Sequence, residues 1–372
     1  MKKNILVIFG GKSCEHDISI ITALQAMRAA NEDKYEVFPL YIRKKMYSGG
    51  ALRDLSAYAD FSRIESSLKT VEFFDGGILV GRSRAFKKRV FIDAAVVCCH
   101  GGIGENGGLQ GLLEFYNIPY TSPGVSASAV FMDKVLTKEV LKAKNLPVLP
   151  YFTVKDTDIE NARARGDLTY PLIVKPASLG SSIGIGVAHN IDELKTACVV
   201  AAEFDSKIIV EKALTDFFEI NCAALSDGKN IIVSECEKPV SWEEFLSFDE
   251  KYCVGGGMRG LKREYPADIP ENLRKAVRNF TRTVYAHFGM KGSVRIDFLV
   301  DGTDGGVYIN EINTVPGSLA YYLFAENGIT FRDLIDITVE TAKREKARAD
   351  KKQYIYDSKV LDGDFSGKTG KA

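Results

Sequence analysis

The sequence predicts an α/β protein that begins with a doubly wound parallel-sheet domain. Two observations support this prediction. First, strand-like and helix-like segments alternate between residues 4 and 116, which is typical of parallel sheets covered by helices. Second, the strand candidates farther along the chain come in pairs joined by glycine-rich turns, as in the stretches 170–189 and 293–313. The second half is therefore expected to be built differently from the first.

Apolar runs and apolar residues at helical spacing predict the N-terminal elements. The predicted strands are 4–9, 35–42 and 94–100, and the predicted helices are 18–31 and 108–116. The first apolar run ends at Gly10-Gly11 and is too short for a signal peptide. We therefore interpret it as a buried strand.

The same signals predict the elements of the second half. The predicted strands are 170–175, 185–189, 208–212, 219–226, 230–235, 293–300 and 307–313, and the predicted helices are 269–288 and 330–348. The polar stretch 155–167 predicts a loop and a helix. The glycine-containing stretch 239–260 predicts a long functional loop, and the polar tail from Lys351 is expected to pack poorly.

Composition excludes several classes of protein. The 372 residues suffice for two or three structural units, and 49 basic residues balance 49 acidic ones. No global field therefore favours nucleic acid or a membrane surface. No apolar run approaches the roughly 18–20 residues of a membrane span. The seven scattered cysteines form no C-x-x-C pair, which indicates a reduced cytoplasmic protein without disulfides or structural zinc.

Two apparent phosphate motifs fail on inspection. Gly11-Lys12-Ser13 follows a strand as in a P-loop, but Leu6 stands where the upstream glycine is required. The segment 102–107 matches G-x-G-x-x-G, a weak signal when it stands alone. Glu105 inside it would repel a pyrophosphate. A structural turn is therefore favoured over a dinucleotide site.

The stretch 171–186 is the strongest candidate for an anion site. A predicted strand ends at Lys175, and a turn with three glycines and three serines leads into the next strand. Glycines allow successive backbone N–H groups to face one anion, and lysine adds a positive charge. The alternative is an ordinary hairpin with an exposed lysine.

Two later strands carry candidate metal ligands. Residues two apart share one face of a strand, so Arg295 lies beside Asp297, and Glu311 lies beside Asn313. If the two strands are neighbours, the carboxylates and the amide form a cluster of hard oxygens that suits Mg²⁺ bound together with phosphates. The alternative for a single strand carboxylate is simple solvation.

These motifs resemble the ATP-grasp fold, and further stretches resemble its D-alanine–D-alanine ligase branch. Those stretches are GGKSCEHDIS at 10–19, HGGIGENGGLQG at 100–111 and SPGVSASAVFMDK at 122–134. The resemblance runs from about residue 4 to about residue 345. It implies an N-terminal doubly wound parallel-sheet domain followed by a two-part α+β ATP-grasp domain. The implied boundaries are 1–122, 123–214 and 215–348, with a polar tail at 349–372.

The resemblance also implies which residues bind the nucleotide and the metal. Lys134 and Lys175 would hold the phosphates of ATP, and Glu219 would lie near the ribose. The other implied nucleotide contacts are Gly180 and Ser182 in the glycine-rich turn and Glu211, Lys212 and Leu214 in the segment that reads adenine. The implied ligands of two Mg²⁺ ions, with Mn²⁺ as a possible substitute, are Asp297, Glu311 and Asn313.

A second implied group performs catalysis. Glu15 would bind the donor amino group, with Ser181 and Tyr252 as its hydrogen-bonded partners. A carboxylate must first become an acyl-phosphate before an amine can attack it, and fixed donors then stabilise the developing oxyanion. Arg295 and the backbone N–H of Gly317 would be those donors. The alternative for Glu15 is a charge that complements a helix dipole.

The acceptor segment departs from the family pattern. The family usually places a serine a few residues after Pro-Gly, whereas this chain reads Ser318-Leu319-Ala320-Tyr321-Tyr322. We expect Lys251, Ser318 and Tyr322 to serve the acceptor carboxylate. The alternative is that the tyrosines only begin a packed helix. Tyrosine rather than histidine at position 252 argues for an amine acceptor over a hydroxy acid.

The resemblance implies an ATP-dependent ligase that forms D-alanyl-D-alanine from two D-alanines for peptidoglycan precursors. A cytoplasmic homodimer without nucleic-acid or membrane partners is expected. One alternative is an ATP-grasp ligase for a different amino-acid pair, because the acceptor segment departs from the pattern. The other is a nucleotide-binding protein that has lost catalysis, against which both lysines and all metal ligands argue.

Overall fold

The N-terminal sheet is mixed, with a parallel centre and an antiparallel extension. The computed structural model describes residues 2–83, 86–166, 168–239, 263–354, 356 and 358. The sheet has the order β6-β5-β4-β3-β2-β1-β7, and only β2, β1 and β7 pair in parallel. Its strands are β1 Lys3–Gly10, β2 Tyr35–Ile42, β3 Met46–Ser48, β4 Lys69–Phe74, β5 Gly77–Gly81, β6 Lys88–Phe91 and β7 Ala94–Val97. The predicted parallel part is confirmed, and the antiparallel extension was not predicted.

Helices in this part pack on the sheet or carry the loops above it. They are α1 His16–Ala29, α2 Ser56–Ala59, α3 Phe61–Glu65 and α4 Gly108–Phe115, with 3₁₀ turns at Gly50–Arg53 and Gly102–Gly104. The chain turns sharply from β1 towards α1 at Gly10, which has φ +87°. A Cβ there would lie 2.4 Å from the carbonyl oxygen of Ile42, so only glycine fits.

The central part is a four-stranded antiparallel sheet with helices. Its order is β10-β9-β11-β8, with β8 Tyr151–Lys155, β9 Leu172–Pro176, β10 Gly186–Ala188 and β11 Lys207–Lys212. The helices are α5 Val125–Met132, α6 Lys134–Lys142 and α7 Ile191–Ala202, and a 3₁₀ segment spans Asp156–Asn161. The glycine-rich turn joins β9 to β10, as predicted.

The C-terminal part holds a second four-stranded antiparallel sheet, in the order β13-β12-β16-β17. Its strands are β12 Phe217–Ser226, β13 Ile231–Val233, β16 Val294–Asp301 and β17 Val307–Asn313, and the short pair β14 Lys238–Pro239 and β15 Arg263–Glu264 lies apart. The helices are α8 Glu271–His287 and α9 Phe331–Ala349, preceded by a 3₁₀ segment at Gly317–Asn327. Asp297 pairs with Glu311 and Phe298 with Ile309, so Asn310 is the extra residue of a β-bulge.

The last helix closes the N-terminal core. Leu334, Ile335 and Val339 of α9 are buried in the same apolar cluster as β1 and β7. Ion pairs join Lys3 to Glu340, Lys34 to Asp336, and Lys343 to Asp93, the last at 2.6 Å. The beginning and the end of the fold therefore share one core.

A left-handed turn follows β17. Ser318, Leu319 and Ala320 have φ between 51° and 52°, although none of them is glycine. Left-handed helical backbone costs an L-residue about 1–2 kcal/mol, so such a run persists only where its surroundings hold it. Ser318 and Ala320 are fully buried.

The strands and helices that were predicted with bounds agree with the observed ones to within three residues at each end. The stretch 155–167 forms a 3₁₀ segment at Asp156–Asn161, and β8 and α5 to α7 were not predicted. Each sheet lies between two of the predicted domain boundaries, which remain predictions. The predicted loop at 239–260 lies, apart from Pro239, outside the described residues. Among the helices that the structure describes, none is long and apolar enough to cross a membrane.

Candidate active site

A cleft of about 760 Å³ lies between the central and C-terminal sheets. Apolar side chains line one part of it, namely Leu149, Ile173, Ile185, Leu214, Phe217 and Leu299. Charged and polar residues line the rest, including Lys134, Lys175, Ser182, Lys212, Glu219, Asp297 and Glu311. An apolar slot beside a charged end suits a flat base attached to phosphates.

Lys134 reaches the charged part of the cleft from the start of α6. The carboxylate of Asp133 caps this helix by accepting hydrogen bonds from the N–H groups of Val135 and Leu136. The ammonium of Lys134 donates to the carbonyl oxygen of Leu179 at 2.6 Å and lies 3.6 Å from the Glu311 carboxylate. The side chain thus links the glycine-rich turn to the candidate metal ligands.

The glycine-rich turn approaches the N-terminal part closely. A Cβ at Gly180 would lie 3.2 Å from the Glu15 carboxylate oxygens. Ser181 and Ser182 adopt left-handed backbone angles, with φ of 57° and 58°. The hydroxyl of Ser181 donates to the Glu15 carboxylate. The structure thereby brings together the Glu15–Ser181 pair that the sequence predicted.

Lys175 belongs to a buried cluster of three charges. Its ammonium lies 2.6 Å from one oxygen of Glu211, and the ammonium of Lys138 lies 2.6 Å from the other. Burial raises the pKa of Glu211, but the two lysines outweigh it and lower that pKa to about 2. Sequence reasoning missed Lys138, although it lies one helical turn after Lys134 and therefore on the same face of α6.

The predicted metal ligands do converge. Asp297 and Glu311 stand opposite each other on β16 and β17, and Asn313 donates to the Asp297 carboxylate at 3.0 Å. Arg295 donates two hydrogen bonds, of 2.7 and 2.8 Å, to the same carboxylate. Burial disfavours the charge of Arg295, but Asp297 holds the pKa of this guanidinium well above its usual value.

The bulge adds a residue that the sequence did not reveal. Strand periodicity places Asn310 on the face opposite Glu311, whereas the bulge lets both line the cleft. The amide oxygen of Asn310 accepts from Lys175 at 3.3 Å.

The donor set fits a hard divalent cation. The residues that the structure describes include no group of three His, Cys, Asp or Glu arranged for a metal. Two carboxylates and one amide are instead suited to Mg²⁺ or Mn²⁺ that shares its coordination with phosphate oxygens. Both Asp297 oxygens already accept hydrogen bonds, so a cation there would compete with Arg295.

A second cavity, of about 490 Å³, continues the first. It is lined by Glu15, Glu105 and Thr314, and it shares further lining residues with the cleft, namely Lys134, Leu179, Gly180, Asn310 and Glu311. A phosphate held at these shared residues would therefore face a small ligand beside Glu15.

Glu105 is a site residue that sequence reasoning set aside as part of a turn. Its carboxylate accepts hydrogen bonds from the N–H of Gly101 at 2.7 Å, the N–H of Val315 at 2.8 Å and the hydroxyl of Thr314 at 3.2 Å. Burial and the nearby Glu15 charge nevertheless raise the pKa of Glu105 to about 7. No signal in the sequence distinguished this half-buried acid from a solvated one.

The acceptor segment is only partly accounted for. The hydroxyl of Ser318 donates to the amide oxygen of Gln25 at 2.6 Å. The ring of Tyr322 lies 4.3 Å from the guanidinium carbon of Arg263, and burial raises the pKa of Tyr322. Lys251 and Tyr252 lie outside the described residues.

Comparisons with known proteins agree with this geometry. Family models described as the D-ala D-ala ligase N-terminus and C-terminus match residues 4–123 and 140–340. The D-alanine–D-alanine ligase of Thermosipho africanus is 39% identical, covering 96% of this chain and 98% of that protein. That of Thermoanaerobacter sp. strain X514 is 34% identical, covering 92% and 96%.

Solved structures with this fold include other ligases. The D-alanine–D-alanine ligase of Coxiella burnetii superposes with a TM-score of 0.79 at 26% identity, over 94% of this chain and 96% of that one. The VanG D-Ala:D-Ser ligase of Enterococcus faecalis gives 0.76 at 26% identity, over 92% and 100%. With both family models matched and relatives aligned over nearly their full length, the chain belongs to the D-alanine–D-alanine ligase family.

Proposed function

We propose that this enzyme joins two D-alanines at the expense of ATP, through an acyl-phosphate, and so supplies the dipeptide for peptidoglycan precursors. The observation that carries the proposal is the meeting of two cavities at Lys134, Gly180 and Glu311. One cavity suits a nucleotide, and the other holds a carboxylate that suits an amino group. A donor carboxylate at the junction would lie next to the terminal phosphate.

The first step needs charge neutralisation and positioning. Lys134 and Lys175 offset the negative charge of the phosphates, and Glu15, held by Ser181, binds the donor ammonium. When bound at Asp297, Glu311 and Asn313, Mg²⁺ or Mn²⁺ ions would supply further neutralisation of the phosphate charge. The chain then needs no nucleophile of its own, because the donor carboxylate attacks the γ-phosphorus of ATP and ADP leaves.

The second step needs an anion stabiliser. The acceptor amine attacks the acyl carbon of the acyl-phosphate. Negative charge develops on the carbonyl oxygen, and phosphate then leaves. Arg295 and the N–H of Gly317 would stabilise that oxygen. Lys251 and the hydroxyl of Tyr322 would bind the acceptor carboxylate, since a buried unpaired anion costs several kcal/mol. Ser318 does not serve this role, because it is buried and its hydroxyl donates to Gln25.

The relatives bear on the choice of substrate. The two relatives named above that are more than 30% identical carry the D-alanine name. The D-Ala:D-Ser ligase is less similar, at 26% identity. The alternative of another amino-acid pair is therefore not favoured.

The setting of the reaction follows from the same proposal. All six described cysteines are free thiols, which suits a reducing cytoplasm. A homodimer is proposed on the family resemblance alone.

An isotope experiment tests the chemistry. D-alanine labelled with oxygen-18 in its carboxylate should transfer one label to the inorganic phosphate, because the attacking carboxylate oxygen stays with phosphorus. Label found in AMP would indicate an adenylate and would contradict the acyl-phosphate. The same assay with L-alanine and D-serine as acceptors tests the choice of substrate.

A further inference from the structure

The segment that carries Gly317 is held mainly by the N-terminal part of the chain. It runs from Thr314 to Ala320, leaves the sheet at the end of β17 and contains the left-handed turn. Four side chains from the N-terminal part contact it, namely Thr22 and Gln25 of α1 and His100 and Glu105 of the loop after β7. We call these four residues the clamp.

One part of the clamp is a chain of hydrogen bonds with a fixed direction. Since a carbonyl only accepts, Nδ1 of His100 must donate to the carbonyl oxygen of Val315, at 2.7 Å. Burial lowers the pKa of His100 to about 4, so its Nε2 carries no proton at neutral pH and accepts from the Thr22 hydroxyl at 2.8 Å. The oxygen of Thr22 in turn accepts from the N–H of Ser318 at 3.1 Å.

The other part fixes the same segment at neighbouring atoms. Glu105 accepts from the N–H of Val315 at 2.8 Å, so the backbone N–H and the backbone carbonyl of Val315 are both bonded to the N-terminal part. Gln25 accepts from the hydroxyl of Ser318 at 2.6 Å. Gly317 therefore lies between two residues whose backbone the clamp holds.

We propose that Thr22, Gln25, His100 and Glu105 are positioning residues that hold the left-handed turn and thereby fix the backbone N–H of Gly317 for the second chemical step. This proposal rests on the proposed function, because it assigns the oxyanion to that N–H. A run of three left-handed non-glycine residues would relax if its partners were removed. The two lysines of the first step lie on α6 and β9, and the candidate metal ligands lie on β16 and β17, of which Asn313 directly precedes the segment.

A matched pair of variants tests the proposal. Thr22→Val keeps the shape of the side chain but removes the acceptor for the Ser318 N–H and the donor for His100, whereas Thr22→Ser keeps both. We expect Thr22→Val to lower the rate of dipeptide formation by about 10- to 100-fold, the loss that misplacement of a catalytic group causes. Thr22→Ser should stay close to the unaltered enzyme.

The decisive readout compares the two steps. Oxygen-18 in the β,γ-bridge of ATP scrambles when an acyl-phosphate forms and reverts, and dipeptide appears only when the amine attacks. In Thr22→Val the ratio of scrambling to dipeptide should rise at least severalfold, with the KM for ATP unchanged. An enzyme that is only destabilised would lose isotope scrambling and dipeptide formation in the same proportion. An unchanged ratio of the two rates would therefore overturn the proposal.

A second pair keeps the test open if Thr22→Val does not fold. Gln25 is half-buried, so Gln25→Leu removes the partner of the Ser318 hydroxyl with less damage to the core, and Gln25→Glu retains an acceptor. The ratio should rise in Gln25→Leu and not in Gln25→Glu. If the unaltered enzyme makes no D-alanyl-D-alanine, the proposed function fails; if it does and neither pair changes the ratio, only the clamp fails.

Discussion

At the scale of single residues, Tyr322 tests the acceptor site. It is the fifth residue after Gly317, where the family serine is expected, and its ring packs on the Arg263 guanidinium. If its hydroxyl binds the acceptor carboxylate, Tyr322→Phe should raise the acceptor KM about tenfold, the cost of one hydrogen bond to a charged group, and leave the donor KM unchanged. Steady-state rates at varied donor and acceptor concentrations measure both constants.

The neighbouring tyrosine offers the control for this experiment. Tyr321 stacks on Phe331 at 4.4 Å, away from Arg263, so Tyr321→Phe should change neither constant. Small and equal effects in both variants would mean that the hydroxyl of Tyr322 touches nothing in the site.

Glu105 and His100 make opposite contributions to stability as pH changes. The folded state raises the pKa of Glu105 from 4.5 to about 7, so between these values it binds more protons than the unfolded chain. Its contribution to stability therefore falls as pH rises. The folded state lowers the pKa of His100 from 6.5 to about 4, so its contribution is lost as pH falls through that window.

Glu105→Gln should separate the pH-dependent contribution of Glu105 to stability from that of His100. In the unaltered protein, Glu105 lowers the free energy of unfolding by about 1.4 kcal/mol for each pH unit between pH 4.5 and 7. The variant lacks this acid, so over that range its free energy of unfolding should rise by roughly 3 kcal/mol relative to that of the unaltered protein. Denaturant unfolding at several pH values without nucleotide measures this difference. Glu36→Gln, at an exposed acid of β2, provides the control variant. If the difference in free energy of unfolding between Glu105→Gln and the unaltered protein did not change with pH, the raised pKa of Glu105 would be contradicted.

Glu311 tests the metal assignment. Glu311→Gln removes one anionic ligand and the carboxylate beside Lys134, so turnover should fall by at least 100-fold, about 2.7 kcal/mol in the barrier. The dependence of rate on Mg²⁺ concentration should shift to higher concentrations. Unfolding curves should overlay those of the unaltered enzyme, and Glu340→Gln on α9 should keep full activity. Near-normal magnesium-dependent turnover would remove Glu311 from the site.

Some of these residues could be predicted from sequence, and others could not. The period of two along a strand and the short connection between β16 and β17 were enough to bring Asp297, Glu311 and Asn313 together. Glu105 needed the fold, because its burial depends on a segment more than 200 residues later in the chain. Local sequence carries no information about such a contact.

At the scale of elements, α6, β9 and β11 meet in the buried charges of Lys138, Lys175 and Glu211. Lys138→Met would leave Glu211 paired with Lys175 alone, so the cleft would lose one positive charge. We expect a loss of about 3 kcal/mol in the free energy of unfolding, because a buried ion pair is broken, together with a higher KM for ATP.

A double substitution separates charge from packing in this cluster. Lys138→Met with Glu211→Gln removes one charge of each sign and should recover much of the stability that Lys138→Met loses. Denaturant unfolding and the KM for ATP are measured for both single variants and the double variant. Additive losses would mean that Lys138 and Glu211 do not interact.

Elements differed in how well periodicity predicted them. Long apolar strands were predicted closely: β1 is buried along most of its length, and β2 along half of it. Strands β3 to β6 are short, and their buried positions do not alternate strictly, so they gave no clear period of two. The bulge at Asn310 changes the side of the sheet that the following residues of β17 face, and a strict period of two cannot predict such a change.

At the scale of the whole molecule, the domains implied by the sequence do not have separate cores. The core of the N-terminal sheet includes Val315, Leu323 and Phe324 as well as the buried face of α9. The sequence implied, through its family resemblance, domain boundaries that fall between the sheets. It did not indicate that the last helix belongs to the first sheet, because that docking depends on tertiary packing.

The shared core has a consequence for synthesis on the ribosome. The first sheet emerges more than 200 residues before α9, which at ~5–20 residues per second is a delay of roughly 10 to 50 seconds. During that interval the apolar surface that α9 later covers faces water, where chaperones or other nascent chains can bind it. We therefore expect the nascent enzyme to become protease-resistant only after α9 has emerged and docked, so slower translation should lengthen the interval in which the chain is protease-sensitive.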